Sequence, residues 1–184
     1  MSQAYAAVRK LEAADGVDGF DCGHAELDIW LKRHALASQA ANSAQTYVCR
    51  SGGEVVGYYS LAVGSVEPRQ APARVMKGQA RYAVPVMLLA RLAVDRAHQG
   101  CGLGRALLKD ALLRTVQAAD IAGIRALLVH AKDDAARGWY LSWEFDPSPT
   151  DPYHLFLLLK DLRRLLPRQT LQDAPAEYTT RSRT

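Results

Sequence analysis

The most constraining feature of this chain is a junction near its middle. Residues 86–94 read VMLLARLAV, an apolar run of strand length interrupted only by Arg91, which predicts a central strand covered on both faces. The turn HQGCGLG follows at residues 98–104. Beyond it, Leu107, Leu108, Ala111, Leu112 and Val116 recur at helical spacing and predict a helix from Leu103 to Ala119 that packs back on the sheet. Glycines at 100, 102 and 104 let the backbone curl so that successive N–H groups point inward, and the helix N-terminus adds partial positive charge. Together these make a cradle for a pyrophosphate. A Walker loop would require GxxxxGK followed by Ser or Thr, and a dinucleotide fingerprint would require GxGxxG after a first strand; neither spacing is present.

The flanking sequence predicts a mixed α/β order. Ala4 to Lys10 reads as a first strand, followed by a glycine- and aspartate-rich loop and a helix from His24 to about Ala40 with Leu27, Trp30, Leu31 and Leu36 near one face. Gln45–Arg50 and Val55–Val66 flank a Gly-Gly turn and read as a hairpin. A long basic connection with prolines then leads to the central strand. Downstream, Ala126–Ala131 reads as a buried strand, Asp133–Ser142 as a short helix with Asp133 near its N-terminus, and Tyr153–Leu159 as a last strand. The expected organisation is one domain over residues 1–166 and a polar, pattern-free tail over 167–184.

Composition narrows the class. With 49% hydrophobic and 23% charged residues, the 184-residue chain is expected to be globular, not fibrous or largely disordered. It shows no cationic segment running into an apolar N-terminal stretch and no apolar run of about 18 residues, so a cytoplasmic location is expected and no membrane partner. Cys22, Cys49 and Cys101 lie far apart without ligand spacing, so no metal site or disulfide framework is expected. The net charge of +4 is local: between residues 68 and 96, Arg69, Arg74, Lys77, Arg81, Arg91 and Arg96 face a single acid, Asp95.

The segment Leu92, Ala93, Val94 with Gln99, Gly102 and Gly104 resembles the Q/R-x-x-G-x-G/A acetyl-CoA loop of the GNAT superfamily, and Asp133, Ala136, Tyr140 and Phe145 continue the resemblance downstream. Position 133 is often asparagine in that family and a glycine commonly stands where this chain has Glu144. The resemblance implies an acetyl-CoA N-acyltransferase fold: a mixed, mostly antiparallel sheet with a V-shaped split between central strands, flanked by helices. It implies that the free backbone of Leu92, Ala93 and Val94 pairs with pantetheine amides. The diphosphate would rest on Gln99, Gly100, Cys101, Gly102, Leu103, Gly104 and Arg105. Tyr140 would be the catalytic acid. A phenol of pKa about 10 beside a leaving thiolate, whose thiol titrates near about 8.5, has the chemistry to donate a proton or hydrogen bond.

Residues 15–160 are similar in particular to the toxin branch of GNAT enzymes, the TacT-like proteins. For that branch the implied acceptor is the amino acid on aminoacyl-tRNA, whose acetylation blocks translation, and the implied partner is a small ribbon-helix-helix antitoxin, through which DNA is reached only indirectly. A homodimer stays open. The acceptor is chemically reasonable, because an α-amino group titrates near about 7.7–8.0 and is far easier to deprotonate than a lysine at about 10.4. Lys32, Arg33, Arg74, Lys77, Arg81 and Arg91 are the candidate tRNA contacts. Arg91 interrupts the apolar strand, so it either pairs with an acid or faces the cleft. Two alternatives remain: an N-acetyltransferase acting on a small-molecule amine or a protein N-terminus, and a co-repressor module bound to its antitoxin.

Overall fold

The computed structural model describes residues 4–166, and the expected tail at 167–184 lies outside them. Seven strands form one sheet: β1 (Arg9–Lys10), β2 (Gln45–Ser51), β3 (Glu54–Val66), β4 (Val84–Val94), β5 (Ala126–His130), β6 (Asp146–Pro147) and β7 (His154–Leu158). Their order is β1-β2-β3-β4-β5-β7-β6, and every neighbouring pair is antiparallel except β4–β5. The helices are α1 (Ala25–Arg33), α2 (Ala35–Ala40), α3 (Ala73–Met76), α4 (Leu103–Ala119), α5 (Asp134–Leu141) and α6 (Leu159–Leu165). This is the mixed, mostly antiparallel sheet that the family resemblance implies.

The parallel pair is the feature that matters most. β4 and β5 are in register only over Val86–Leu89 and Ala126–Val129, whereas β4 stays paired with β3 as far as Val94. Between Ser60 and Leu61 the β3–β4 register skips Ala90, so β4 carries a bulge where β5 leaves it. A bulge bends and twists its strand. The result is a V whose throat lies at Leu89 and Val129 and whose open side exposes the backbone of residues 91–94.

Strand alternation divides the core into two faces. On one, Tyr59, Leu61, Met87, Leu89, Leu127 and Val129 meet Leu107, Leu108, Ala111 and Leu112 of α4, the four helix residues being fully buried. Burial of that kind contributes about 1.5–3 kcal/mol per leucine-sized side chain. Gly57 permits the close approach: a Cβ there would lie 2.8 Å from Leu107 Cδ1 and 3.2 Å from Leu103 Cδ2. On the other face, α1 and α2 cover Val48, Tyr58 and Ala93, while α3 covers Val84, Val86, Ala126, Leu128 and Phe156.

Several boundaries differ from the sequence reading. The first strand is confined to Arg9–Lys10, although Ala6 N–H still donates to Arg50 O at 2.8 Å. The expected helix over 24–40 breaks at His34, whose φ and ψ of −121° and −25° turn α2 away from α1. The last strand stops at Leu158, and α6 continues the chain because Leu162 and Leu166 find burial against the α4 face. The two-residue β6, containing a proline, is too short for a periodic signal.

Candidate functional site

The glycine-rich turn is held in shape from three sides. Gln99 Nε2 donates to Val94 O at 2.9 Å and to Cys22 O at 3.1 Å, tying the loop to the end of β4 and to the segment before α1. Asp95 caps the short 3-10 turn Arg96–His98 by accepting from Ala97 N at 2.9 Å, and its other oxygen accepts from Asp21 N at 3.0 Å. Tyr5 O–H reaches His98 Nδ1 and Cys101 Sγ, so the N-terminal segment braces the outer side. Gly100 and Gly102 have φ of 75° and 88°, and a Cβ at either would meet nothing within 4 Å. Backbone conformation, not space, requires glycine there. Gly102 is the N-cap of the 17-residue α4 and has no side chain to offer, so the first-turn N–H groups of α4 lack intrahelical acceptors.

These features border a cavity of about 610 Å³ along the open side of the V. Leu92, Ala93 and Val94 form one wall, Gln99 and Gly100, Gly102, Gly104 and Arg105 the loop end, and Ala136 and Trp139 of α5 the opposite side. The helix N-terminal amides, the free strand edge and a cavity of this volume suit the diphosphate and pantetheine arm of acetyl-CoA. Cys101 and Leu103, expected with the loop, do not line the cavity: Cys101 is exposed with its S–H to His98 O, and Leu103, the first residue of α4, is buried against β3.

Two cavity residues carried no sequence signal. His24 and Lys132, separated by 108 positions, meet through Nε2 and Nζ, and Lys132 also lies 3.6 Å from Asp133, the N-cap of α5. Only the fold brings the start of α1 to the end of β5. Cys22 lines the same wall; burial and then Asp28 push its thiol up to about 11, which keeps it protonated at neutral pH.

Tyr140 sits on the last turn of α5, in the core cluster with Met87, Leu89, Leu127 and Val129, and is 8% exposed. Its ring is edge-on to Trp139 at 4.9 Å and to Phe145 at 5.4 Å. It lies on the α4 face of the sheet and is not itself a wall of the cavity, unlike its neighbour Trp139. Burial alone raises its ionisation well above the ordinary phenol range, so it keeps its proton at neutral pH.

The basic candidates separate into three groups. Lys32 and Arg33 on α1, and Lys77 and Arg81 after α3, are exposed. Arg74 is already engaged, bridging Asp146 at 3.1 Å and the buried Asp161 at 2.6 Å, so it ties α3 to β6 and α6 while its side chain stays half-exposed. Arg91 meets no acid among the described residues. Instead its guanidinium lies 4.1 Å above the Trp30 ring, which in turn stacks on Tyr58 at 6.0 Å. Arg91 therefore belongs to the α1 face of the sheet, opposite Tyr140, and does not line the 610 Å³ cavity.

Comparison with known proteins agrees with this geometry. Residues 42–147 match the acetyltransferase (GNAT) domain. The chain is 49% identical over 162 residues to a tRNA-acetylating toxin of Mycobacterium tuberculosis (strain ATCC 25618 / H37Rv), covering 88% of this chain and 97% of that protein. Among solved structures, AtaT complexed with acetyl-methionyl-tRNAfMet superposes with a TM-score of 0.81 at 27% identity, covering 88% of this chain and 99% of that one. A tyrosine-to-phenylalanine mutant of the AtaT toxin, bound to the C-terminus of the antitoxin AtaR and acetyl-CoA, superposes with a TM-score of 0.76 at 26% identity, covering 89% and 98%. The strand-loop-helix cradle, the split sheet and these likenesses converge: the chain belongs to the GNAT acetyltransferase family, within its branch of TacT-like toxins.

Proposed function

We propose that this protein transfers acetyl from acetyl-CoA to the α-amino group of an amino acid esterified to tRNA, and thereby blocks translation. The observation that carries the proposal is the 49% identity, across nearly the whole of both chains, to a tRNA-acetylating toxin, together with a cavity that fits the acyl donor. Acetyl-CoA supplies the activated acetyl group. The amides around Gly100, Gly102 and Gly104 hold its diphosphate, and the free edge at Leu92–Val94 pairs with its pantetheine arm. Tyr140 holds a proton for the leaving sulfur, a role favoured by the burial that keeps its hydroxyl neutral.

The acceptor requires little from a base. An α-amino group titrates near about 7.7–8.0, so a sizeable fraction is already neutral at cytoplasmic pH, and water suffices to take the remaining proton. Exposed Lys32, Arg33, Lys77 and Arg81, with Arg91 on the α1 face, supply phosphate contacts whose strength falls with salt. A small ribbon-helix-helix antitoxin is the proposed inhibitor, a reading supported as far as an antitoxin goes by the AtaT structure bound to the C-terminus of AtaR.

The test incubates the protein with labelled acetyl-CoA and a mixture of charged tRNAs. Label on the aminoacyl end, lost on mild ester hydrolysis of the tRNA, is the expected result. Label that appears only on small amines or protein N-termini would overturn the tRNA reading while leaving the acetyltransferase in place.

A further inference from the structure

The split sheet sets a titratable side chain against each of its faces at nearly the same level. Along β5, Leu127 and Val129 join the core cluster that holds Tyr140 and the α4 leucines, whereas Ala126 and Leu128 join the cluster under α3. Alternation carries His130 to the α3 side, opposite Tyr140, and it stands one residue beyond Val129, the last β5 residue paired with β4. There it borders a second hollow together with Leu128 and His154. Its ring is stacked on His154 at 3.9 Å with 19° between the planes, so it is held in place, yet among the described residues no hydrogen bond engages its ring nitrogens.

A donor lying along Leu92–Val94 brings its acyl end to this level, because β4 and β5 are paired from Leu89 and Val129 inward. The amine enters neutral, but its nitrogen must still shed a proton once its lone pair has formed the C–N bond. We propose that His130 is the general base of the transfer: it takes that proton on the α3 side of the sheet while Tyr140, on the α4 side, gives one to sulfur. The C–S bond breaks with its electron pair leaving on sulfur. Exposed His130 then returns its proton to solvent, and Tyr140 regains one from solvent after CoA departs, so the net reaction moves one hydrogen from nitrogen to sulfur. This rests on the acetyltransferase reading above and on an amine that approaches from the α3 side.

The other titratable groups around the cleft are engaged or in the wrong state for this task. Cys22 keeps its proton at neutral pH. Asp133 caps α5 by accepting from Ala136 N at 2.8 Å, and that hydrogen bond holds it below the ordinary carboxylate range, which makes it a poor base. Lys132 is turned to His24 and Asp133. His154 lies 3.5 Å from Asp151 and stands on β7, one strand further from β4. The charges that act on His130 are those of His154 and Asp151, since the rest of the hollow's lining, Ser65 and Gln70 included, carries none. Partial burial and then His154 lower its ionisation, Asp151 offsets only part of this, and the ring stays below the ordinary value of about 6.5. It is therefore neutral and able to accept a proton at neutral pH.

The experiment follows single-turnover transfer from labelled acetyl-CoA to charged tRNA against pH, for wild type and for His130→Gln, which keeps a polar side chain but takes no proton. His130→Gln is expected to bind CoA as wild type does by calorimetry and, above neutral pH, to transfer about a hundredfold more slowly, the lower end of what a positioned base contributes. The wild-type advantage should vanish as pH falls through the His130 ionisation, below about 6.5, because a protonated ring has no lone pair to offer. Taking the ratio of the two rates cancels the titration of the amine itself. Two further variants decide the matter if His130→Gln folds poorly. His154→Phe retains a stacked ring and removes the neighbouring charge, so the lower break in the acid limb should move to higher pH, and Asp151→Asn should move it to lower pH. A rate ratio constant across pH, or a lower break that neither variant moves, would overturn the assignment to His130 and leave acetyl transfer standing. Absence of label on every charged tRNA with wild type would overturn the proposed function, and this inference with it.

Discussion

Replacing Tyr140 with phenylalanine separates chemistry from architecture more cleanly than any other single change in this site. The ring is 8% exposed and held edge-on between Trp139 and Phe145, contacts that phenylalanine reproduces. Burial raises its ionisation, and among the described residues no hydrogen bond holds its hydroxyl. Burying a hydroxyl without a partner costs about 1–3 kcal/mol, and deleting it should therefore leave stability unchanged or raise it by about 1 kcal/mol. Proton donation by a positioned side chain contributes about 10²–10⁴-fold in rate, which at about 1.36 kcal/mol per decade is about 2.7–5.4 kcal/mol of barrier. The expected variant is thus as stable as wild type, binds CoA as tightly and transfers acetyl at least a hundredfold more slowly, by about 2.7 kcal/mol or more. Urea unfolding, calorimetry with CoA and single-turnover transfer measure the three quantities. Transfer at the wild-type rate refutes the proton-donor role, and a marked loss of stability refutes the claim that the hydroxyl has no structural task.

Other changes test the supporting parts. Gln99→Ala removes both ties between the loop and its neighbours, each worth about 1 kcal/mol, and should weaken CoA binding about tenfold by calorimetry while the melting curve shifts little. Gly57→Val forces a side chain into Leu107 and Leu103; overpacking of this kind costs about 1–3 kcal/mol in denaturant unfolding, and an undiminished stability would show that α4 is free to move away. At Asp15, burial raises the carboxyl, but hydrogen bonds from Arg9 and the Glu12 amide and the charges of Arg9 and Arg50 outweigh it and hold the group below the ordinary carboxylate range. Its folded value lies under its unfolded value, so its contribution is complete above about pH 4 and disappears as pH falls through the folded value. Asp15→Asn should flatten the acid limb of stability against pH, and an unchanged limb would place acid sensitivity elsewhere.

Much of this protein was legible in the chain because its signals are local. The apolar run at 86–94, the glycines at 100 and 102 and the helical stripe of α4 each state their conformation within a few residues, and the structure places them as a strand edge, a positive-φ turn and a buried helix face, with Gly104 already in the first turn of α4. The same locality explains the misplacements. A helix break at His34, a two-residue β6 and the short α6 depend on what packs against them, and no period of 2.0 or 3.6 residues records that.

Charge was the least legible property. Arg74 and Lys77 look alike in a basic connection, yet Arg74 meets Asp161 from 87 positions away and Lys77 stays exposed. The sequence by itself determined that a strand, a phosphate-sized turn and a helix would follow one another, because backbone conformation and hydrophobic period are set by near neighbours. The tertiary structure alone decided that Tyr140 and Arg91 would stand on opposite faces of one split sheet, that His24 would reach Lys132, and that Arg91 would rest on Trp30. Those relations depend on long-range pairing, and a buried charge or pocket takes its character from whatever distant segment folding brings beside it.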